Sequence, residues 1–323
     1  MSVEVEPNDW VRLDVWWSSY TQAQSLAQSG AAARTLEKEG FANYWEETDL
    51  WWDVFTESGH EMAVDIHGIL EQSNDEWDQS DGPFDSDPLA ADLTLDRVAR
   101  GPLQPTNEMG WSRWLARVLG PSPRLVSELL DIEVAERPEE VIREDQLSKH
   151  DGSIRRPDLL LCYEDYGVSI EVKLGDENYR KTAETAALVE DHYGDREWTH
   201  VLLLPKRKTG RLESIVDPPV TSQSDGQLEI EWDDPGAISI VHWRDVTAAV
   251  RFLLRRGDAA DDSWAANSYL FCSAVEQQIA GFQPGPMIER LAAPKDVVDS
   301  IQPIRFASSF EEQLTYLQTV IDS

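Results

Sequence analysis

Asp158 follows Arg156 and Pro157, and further along the chain Glu171 and Lys173 bracket Val172. Each group lies in a β-rich run: RRPDLLLCY covers residues 155–163, VSIEVKL covers 168–174, and the polar EDYG lies between them. A polar connection of that length closes antiparallel hairpins. With Glu164 to Gly167 as the loop, Tyr163 faces Val168, Leu160 faces Glu171 and Asp158 faces Lys173. Side chains alternate faces along a strand and directly opposed residues share a face, so Asp158, Glu171 and Lys173 are expected to point the same way while Val172 points the other.

Two carboxylates and an ammonium on one patch of sheet suit a hard divalent cation. Mg²⁺ takes oxygen ligands, keeps several waters and commonly uses one or two carboxylates together with a substrate phosphate. On this reading Asp158 and Glu171 are metal ligands. The cation activates water and neutralises charge on phosphorus oxygens, and Lys173 holds the attacking water or the developing charge. The arrangement depends on strand parity, because a slip of one residue would send Asp158 to the opposite face.

The elements that must position these residues follow from local pattern. TNEMGWSRWLARVLG offers Thr106 or Asn107 as an N-cap and apolar residues at Met109, Trp111, Leu115, Val118 and Leu119, which predicts an amphipathic helix ahead of the hairpin. Leu125 to Leu130 reads as a short helix, and Glu133 to Ile142 as containing a strand. After the hairpin come a helix over about 178–193, strands in WTHVLLLP and AISIVHW, and helices over about 245–255 and 263–280. The expected class is α/β, with a mixed four- to five-stranded sheet flanked by helices. Residues 1–100 read as a tryptophan-rich helical region ending in an acidic linker, SNDEWDQSDGPFDSDPLAADL, and residues 101–323 as the domain that carries the chemistry.

Composition sets the surroundings. Acidic residues number 61 against 28 basic ones, a formal net charge of −33, and only seven of the basic residues are lysine. This acidic, lysine-poor surface resembles proteins of salt-accumulating haloarchaea. Net acidity opposes nucleic-acid binding, but residues 143–211 hold 12 basic and 14 acidic residues and are locally near neutral. In molar salt the screening length is about 3 Å, which removes long-range repulsion. Cys162 and Cys272 form no CxxC pair, so neither a disulfide framework nor a structural zinc is expected. The sequence starts without a basic flank and apolar stretch, and no apolar run is long enough to span a bilayer, so a cytoplasmic protein with no membrane partner is expected.

Pro157-Asp158 and Glu171-Val172-Lys173 across an apolar hairpin resemble the signature of the PD-(D/E)XK nuclease superfamily, which has the restriction-endonuclease-like fold. The resemblance covers about residues 107–255 and implies a deoxyribonuclease dependent on Mg²⁺ or Mn²⁺, in a setting such as defence or DNA repair. It also implies a metal-linked glutamate on the preceding helix, a place that Glu108 occupies. Many relatives carry a glutamine and tyrosine pair after the lysine, where this chain has Tyr179, Arg180 and Lys181. The alternative is a catalytically inactive copy of the fold that binds nucleic acid or protein, as a homodimer or a partner-recruited subunit.

Arg155, Arg156, Arg180 and Lys181 are candidates for contacts to the DNA backbone, which position without reading sequence. Lys206-Arg207-Lys208 could join them, although such a run is more often a solvated turn. His60 and His67 lack the His-Glu-x-x-His spacing of zinc proteases and read as structural. No Gly-rich phosphate loop or Gly-x-Ser-x-Gly elbow occurs, which leaves nucleotide-driven motors and acyl hydrolases without support. The tryptophans could stack on unpaired bases, but their helical spacing favours core packing.

Overall fold

The computed structural model describes residues 41–79, 89, 92–93, 105–132, 136–175, 178–223, 227–295 and 297–322. The tryptophans at 10, 16 and 17 lie outside them. By its contacts the chain divides into Met1–Ser58 and Gly59–Ser323. In the first unit, helix α1 (Phe41–Asp78) begins, and the rings of Trp52 and Phe55 stack along it. The rest of α1 belongs to the second unit, where Ala63 and Ile66 are buried with Phe282, Ile288, Phe310 and Leu317. The helix runs into the first residues of the acidic stretch, and Trp77 is 1% exposed in the largest core.

Among the described residues the second unit holds a mixed sheet of seven strands, two more than the upper expectation. In chain order these are β1 (Glu140–Ile142), β4 (Leu159–Cys162), β5 (Tyr166–Val172), β6 (Glu197–Leu204), β7 (Val220–Ser222), β8 (Leu228–Glu231) and β9 (Ala237–His242). The spatial order is β1-β4-β5-β6-β9-β8-β7, with β5, β6 and β9 parallel to one another and the remaining neighbours antiparallel. The strands β2 (Leu147–Ser148) and β3 (Ile154–Arg155) form a separate small hairpin.

The two unforeseen members of the large sheet, β7 and β8, lie at one end of it. LEIE alternates apolar and acidic residues, a period-two signal that was available, whereas the polar VTS of the edge strand carries none. The central runs LLLC and YGVSIEV are almost wholly buried because both faces of the sheet are covered.

On one face Leu159, Leu161, Val168, Ile170, Val172, Val201 and Leu203 pack against three helices that share this core: α2 (Glu108–Leu119), α6 (Trp243–Arg255) and α7 (Asp262–Ala274). Short α3 (Leu125–Leu130) joins them through Leu125, Val126 and Leu130. α2 buries Trp111, Trp114, Leu115, Val118 and Leu119 at helical spacing, and Asn107 caps it by accepting from the Gly110 N–H at 2.9 Å. On the other face Leu202, Leu204, Ile238 and Ile240 pack with Tyr179, Ala183 and Ala186 of α4 (Arg180–His192) and its lead-in, and with Leu212 of α5 (Thr209–Ile215). The chain ends in α8 (Gly285–Ala292) and α9 (Val297–Asp322), which follow a π-helical segment, Val275–Ala280, where a continuous helix was expected. No helix among the described residues is long and apolar enough to cross a membrane.

The hairpin register corrects the expected one by two residues. Leu159 pairs with Ile170, Leu160 with Ser169, Leu161 with Val168 and Cys162 with Gly167. The connection is Tyr163 to Asp165, closed by the Tyr163 N–H donating to the Tyr166 carbonyl at 2.8 Å. Gly167 was read as part of the turn but stands inside β5. A Cβ there would come within 2.6 Å of the Trp198 ring, so the glycine serves close packing and not the turn. A two-residue shift keeps parity, so the faces stay as expected even though the partners change.

Candidate active site

Parity places Asp158, one residue before β4, on the α4-covered face of the sheet together with Glu171 in β5 and Lys173 just beyond it. Extending the observed register by one residue sets Asp158 opposite Glu171, where Lys173 was expected. The Asp158 Oδ2 accepts from the Val172 N–H at 2.8 Å. The Lys173 Nζ donates to Glu171 Oε1 at 2.7 Å. Lys173 continues the parallel ladder, its N–H donating to the Leu203 carbonyl at 2.9 Å, and is 5% exposed. A Glu-x-Lys pair on an ordinary outward strand face would be solvated, and this one is buried, with side-chain exposures of 14% for Glu171 and 6% for Lys173.

Glu108 reaches the same patch from the first turn of α2. Its Oε1 accepts from the N–H groups of Leu174 and Gly175 at 2.5 and 2.8 Å, which ties the helix start to the end of β5. Glu144 is an addition that sequence reading missed. It has φ of 55°, donates its N–H to the Pro157 carbonyl at 3.0 Å and pairs with Arg143, and its charge acts on Asp158. No local pattern marks it, because its place beside Asp158 comes from β1 crossing to β4.

Burial dominates the electrostatics. It pushes the Glu171 carboxyl up to about 7, helped by the nearby Asp158 charge and opposed by Lys173. The Asp158 carboxyl is raised for the same leading reason, with the Val172 N–H and Lys173 opposing and Glu108 and Glu144 adding to the rise. Both groups therefore gain from a cation between them.

The donor set fits one hard divalent ion in part. Glu171 Oε2 is buried with no hydrogen-bond partner among the described residues. Among the described residues no three carboxylate, imidazole or thiolate groups come together closely enough to hold a metal by themselves. Asp158 and Glu171 would thus share the ion with water and substrate oxygens, a usual state for Mg²⁺.

The raised Glu171 carboxyl yields a prediction for the metal-free protein. Between pH 4.5 and about 7 the folded chain holds a proton on Glu171 that the unfolded chain has released, so this group's contribution to stability declines as pH rises through that window. Asp158, Lys173 and Glu108 are the charged groups acting on it. Glu171→Gln removes the titration, and its stability relative to wild type should increase by about 3 kcal/mol across the window. Parallel denaturation profiles for the two proteins from pH 4.5 to 8 would contradict the assignment.

Beside this patch lies a cleft of about 380 Å³, lined by Glu171 and Lys173 together with Ile154, Arg156, Lys181 and Arg155. Among the backbone-contact candidates, Arg156 and Lys181 are exposed on its wall. Arg155 is instead committed to Glu184, donating from Nε at 3.1 Å and Nη2 at 2.5 Å, with Lys149 on the same carboxylate oxygen. Arg180 pairs with Asp217 at 2.7 Å outside the cleft. In the Lys206–Lys208 turn, Arg207 donates to the Ile279 carbonyl. His60 contacts the Leu291 carbonyl and His67 sits beside Glu71, in keeping with structural roles. Tyr179 is buried beneath α4.

No protein-family model, curated protein or solved structure matches this chain.

Proposed function

We propose that this chain is a nuclease that hydrolyses phosphodiester bonds of DNA with Mg²⁺ or Mn²⁺, on a restriction-endonuclease-like core, in a setting such as defence or DNA repair. The observation that carries the reading is the gathering of Asp158, Glu171 and the buried Lys173 on one sheet face beside a cleft with basic walls.

Asp158 and Glu171 would hold the cation, Glu171 through its unpartnered Oε2. When bound, the ion supplies an activated water and charge for the phosphoryl oxygens. Glu171 Oε1 fixes the Lys173 ammonium at the cleft wall, where it donates to the attacking water or to the oxygens on which charge develops. Glu108 holds the end of β5 through two backbone amides and so acts as a positioning residue for Lys173. The local balance of charge around the site lets a polyanion approach, and concentrated salt shortens the reach of the acidic remainder.

The test is cleavage of plasmid and single-stranded DNA in concentrated KCl with Mg²⁺ or Mn²⁺, comparing wild type with Asp158→Ala. Metal-dependent turnover lost in the variant supports the reading, and equal turnover in both removes the assigned site. A second reading, an inactive fold that binds nucleic acid or protein, draws on the lack of a three-ligand cluster among the described residues. DNA binding without metal-dependent turnover would select it.

A further inference from the structure

The cleft wall carries a feature that phosphate hydrolysis alone does not call for. Ile154, 47% exposed, sits beside Arg156, Lys181 and the Glu171–Lys173 pair. It belongs to the small β2–β3 hairpin, which is held firmly. Leu147, paired with Arg155, is 1% exposed and packs with Leu160. The tip is closed by the Lys149 N–H donating to the Ser153 carbonyl at 2.8 Å and by Asp151 Oδ1 accepting from the Ser153 N–H and hydroxyl at 2.8 and 2.6 Å. Gly152 supplies the left-handed turn residue, with φ of 80°. Lys149 and Arg155 both bind Glu184 of α4, fastening the hairpin to the helix that carries Lys181.

The result is a braced apolar side chain next to two exposed cations, neither of which has an ion-pair partner among the described residues. A phosphate satisfies the cations and the flat face of a nucleobase satisfies the isoleucine. In a duplex, base faces are covered by their stacked neighbours, and an enzyme reaches them only after unstacking. The cleft volume of about 380 Å³ lies at the low end of small-molecule sites and has room for one nucleotide unit.

We propose that the cleft takes one nucleotide of an unpaired strand, with Arg156 and Lys181 on its phosphate and Ile154 against its base, so that the substrate class is single-stranded DNA or the unpaired part of a junction. This rests on the nuclease reading and names the strand state it acts on. Arg155 takes no direct part, because its guanidinium is already bound to Glu184.

The probe is a short labelled oligodeoxythymidylate, with its duplex and an abasic strand of the same length, titrated into the full chain in EDTA so that binding is read without turnover. Wild type should favour the oligothymidylate over the duplex. Ile154→Ala should weaken oligothymidylate binding about fivefold and leave the abasic strand unchanged, since only the base contact is lost. Arg156→Ala with Lys181→Ala should weaken both strands alike and flatten the salt dependence of binding. Equal effects of Ile154→Ala on the thymidylate and abasic strands, no effect on either, or a wild-type preference for duplex would overturn the inference. Cleavage by wild type and Asp158→Ala is scored separately. If Asp158-dependent turnover stands while the base-dependent difference is missing, only this inference fails. If base-dependent binding stands without turnover, the cleft is an unpaired-strand site and the nuclease reading fails.

Discussion

On the proposed nuclease function, DNA cleavage by Lys173→Met should fall about 10²- to 10³-fold, with the loss in kcat and little change in KM. Lys173 is 5% exposed and its ammonium is held by Glu171 at 2.7 Å, so its charge is desolvated and fixed in direction. A group placed in this way stabilises charge that develops in the transition state more than charge already present in the bound substrate. Methionine retains the unbranched apolar stem and removes only the charge, which separates a chemical loss from a packing one. Folding is checked by thermal unfolding of the metal-free variant, which should remain cooperative. If Lys173→Met cuts as fast as wild type, the buried pair is structural and the site lies elsewhere.

The largest stability effect should come from the opposite side of the sheet. Arg251 of α6 and Glu276 of the π-helical segment are both fully buried and joined by two hydrogen bonds, Nε to Oε1 at 2.6 Å and Nη2 to Oε2 at 2.7 Å. The Tyr316 hydroxyl of α9 donates to Glu276 Oε1, and Arg251 also lies over the Trp77 ring of α1. Four elements thus meet at one ion pair. Glu276→Ala removes this carboxylate from the guanidinium inside an apolar core and should cost about 3–5 kcal/mol, read as a drop in denaturant midpoint. Replacing both partners, Arg251→Met with Glu276→Leu, should recover most of that loss, because no charge is then left buried without its counter-charge. A single variant as stable as wild type would show that the pair is already solvated. DNA cleavage at a temperature where each variant is folded should not change, since the pair packs on the face opposite the candidate site.

The two groups of predictions draw on different kinds of information. The hairpin and the shared face of Asp158, Glu171 and Lys173 were legible in the sequence, because strand alternation has a period of two and any odd-sum register preserves it. Helix α2 was legible for an equally local reason: its apolar spacing and its Asn107 cap lie within a few residues of one another. The register itself was not, since Gly167 looks like a turn residue until Trp198 is known to lie against it. Trp77, expected in an acidic linker, is core for a similar reason: it packs against Tyr269 and beneath Arg251, residues far away in the chain.

Sequence alone therefore determined which residues could do chemistry together and which side of a sheet they share, because those follow from backbone periodicity over a dozen or so residues. Only the tertiary structure decided that the Glu171–Lys173 pair is buried, that Glu184 occupies Arg155 while Arg156 and Lys181 remain exposed on the cleft, and that Ile154 stands beside them. Burial, ion-pair choice and cleft shape are set by contacts between segments far apart in the chain, and no local pattern records them.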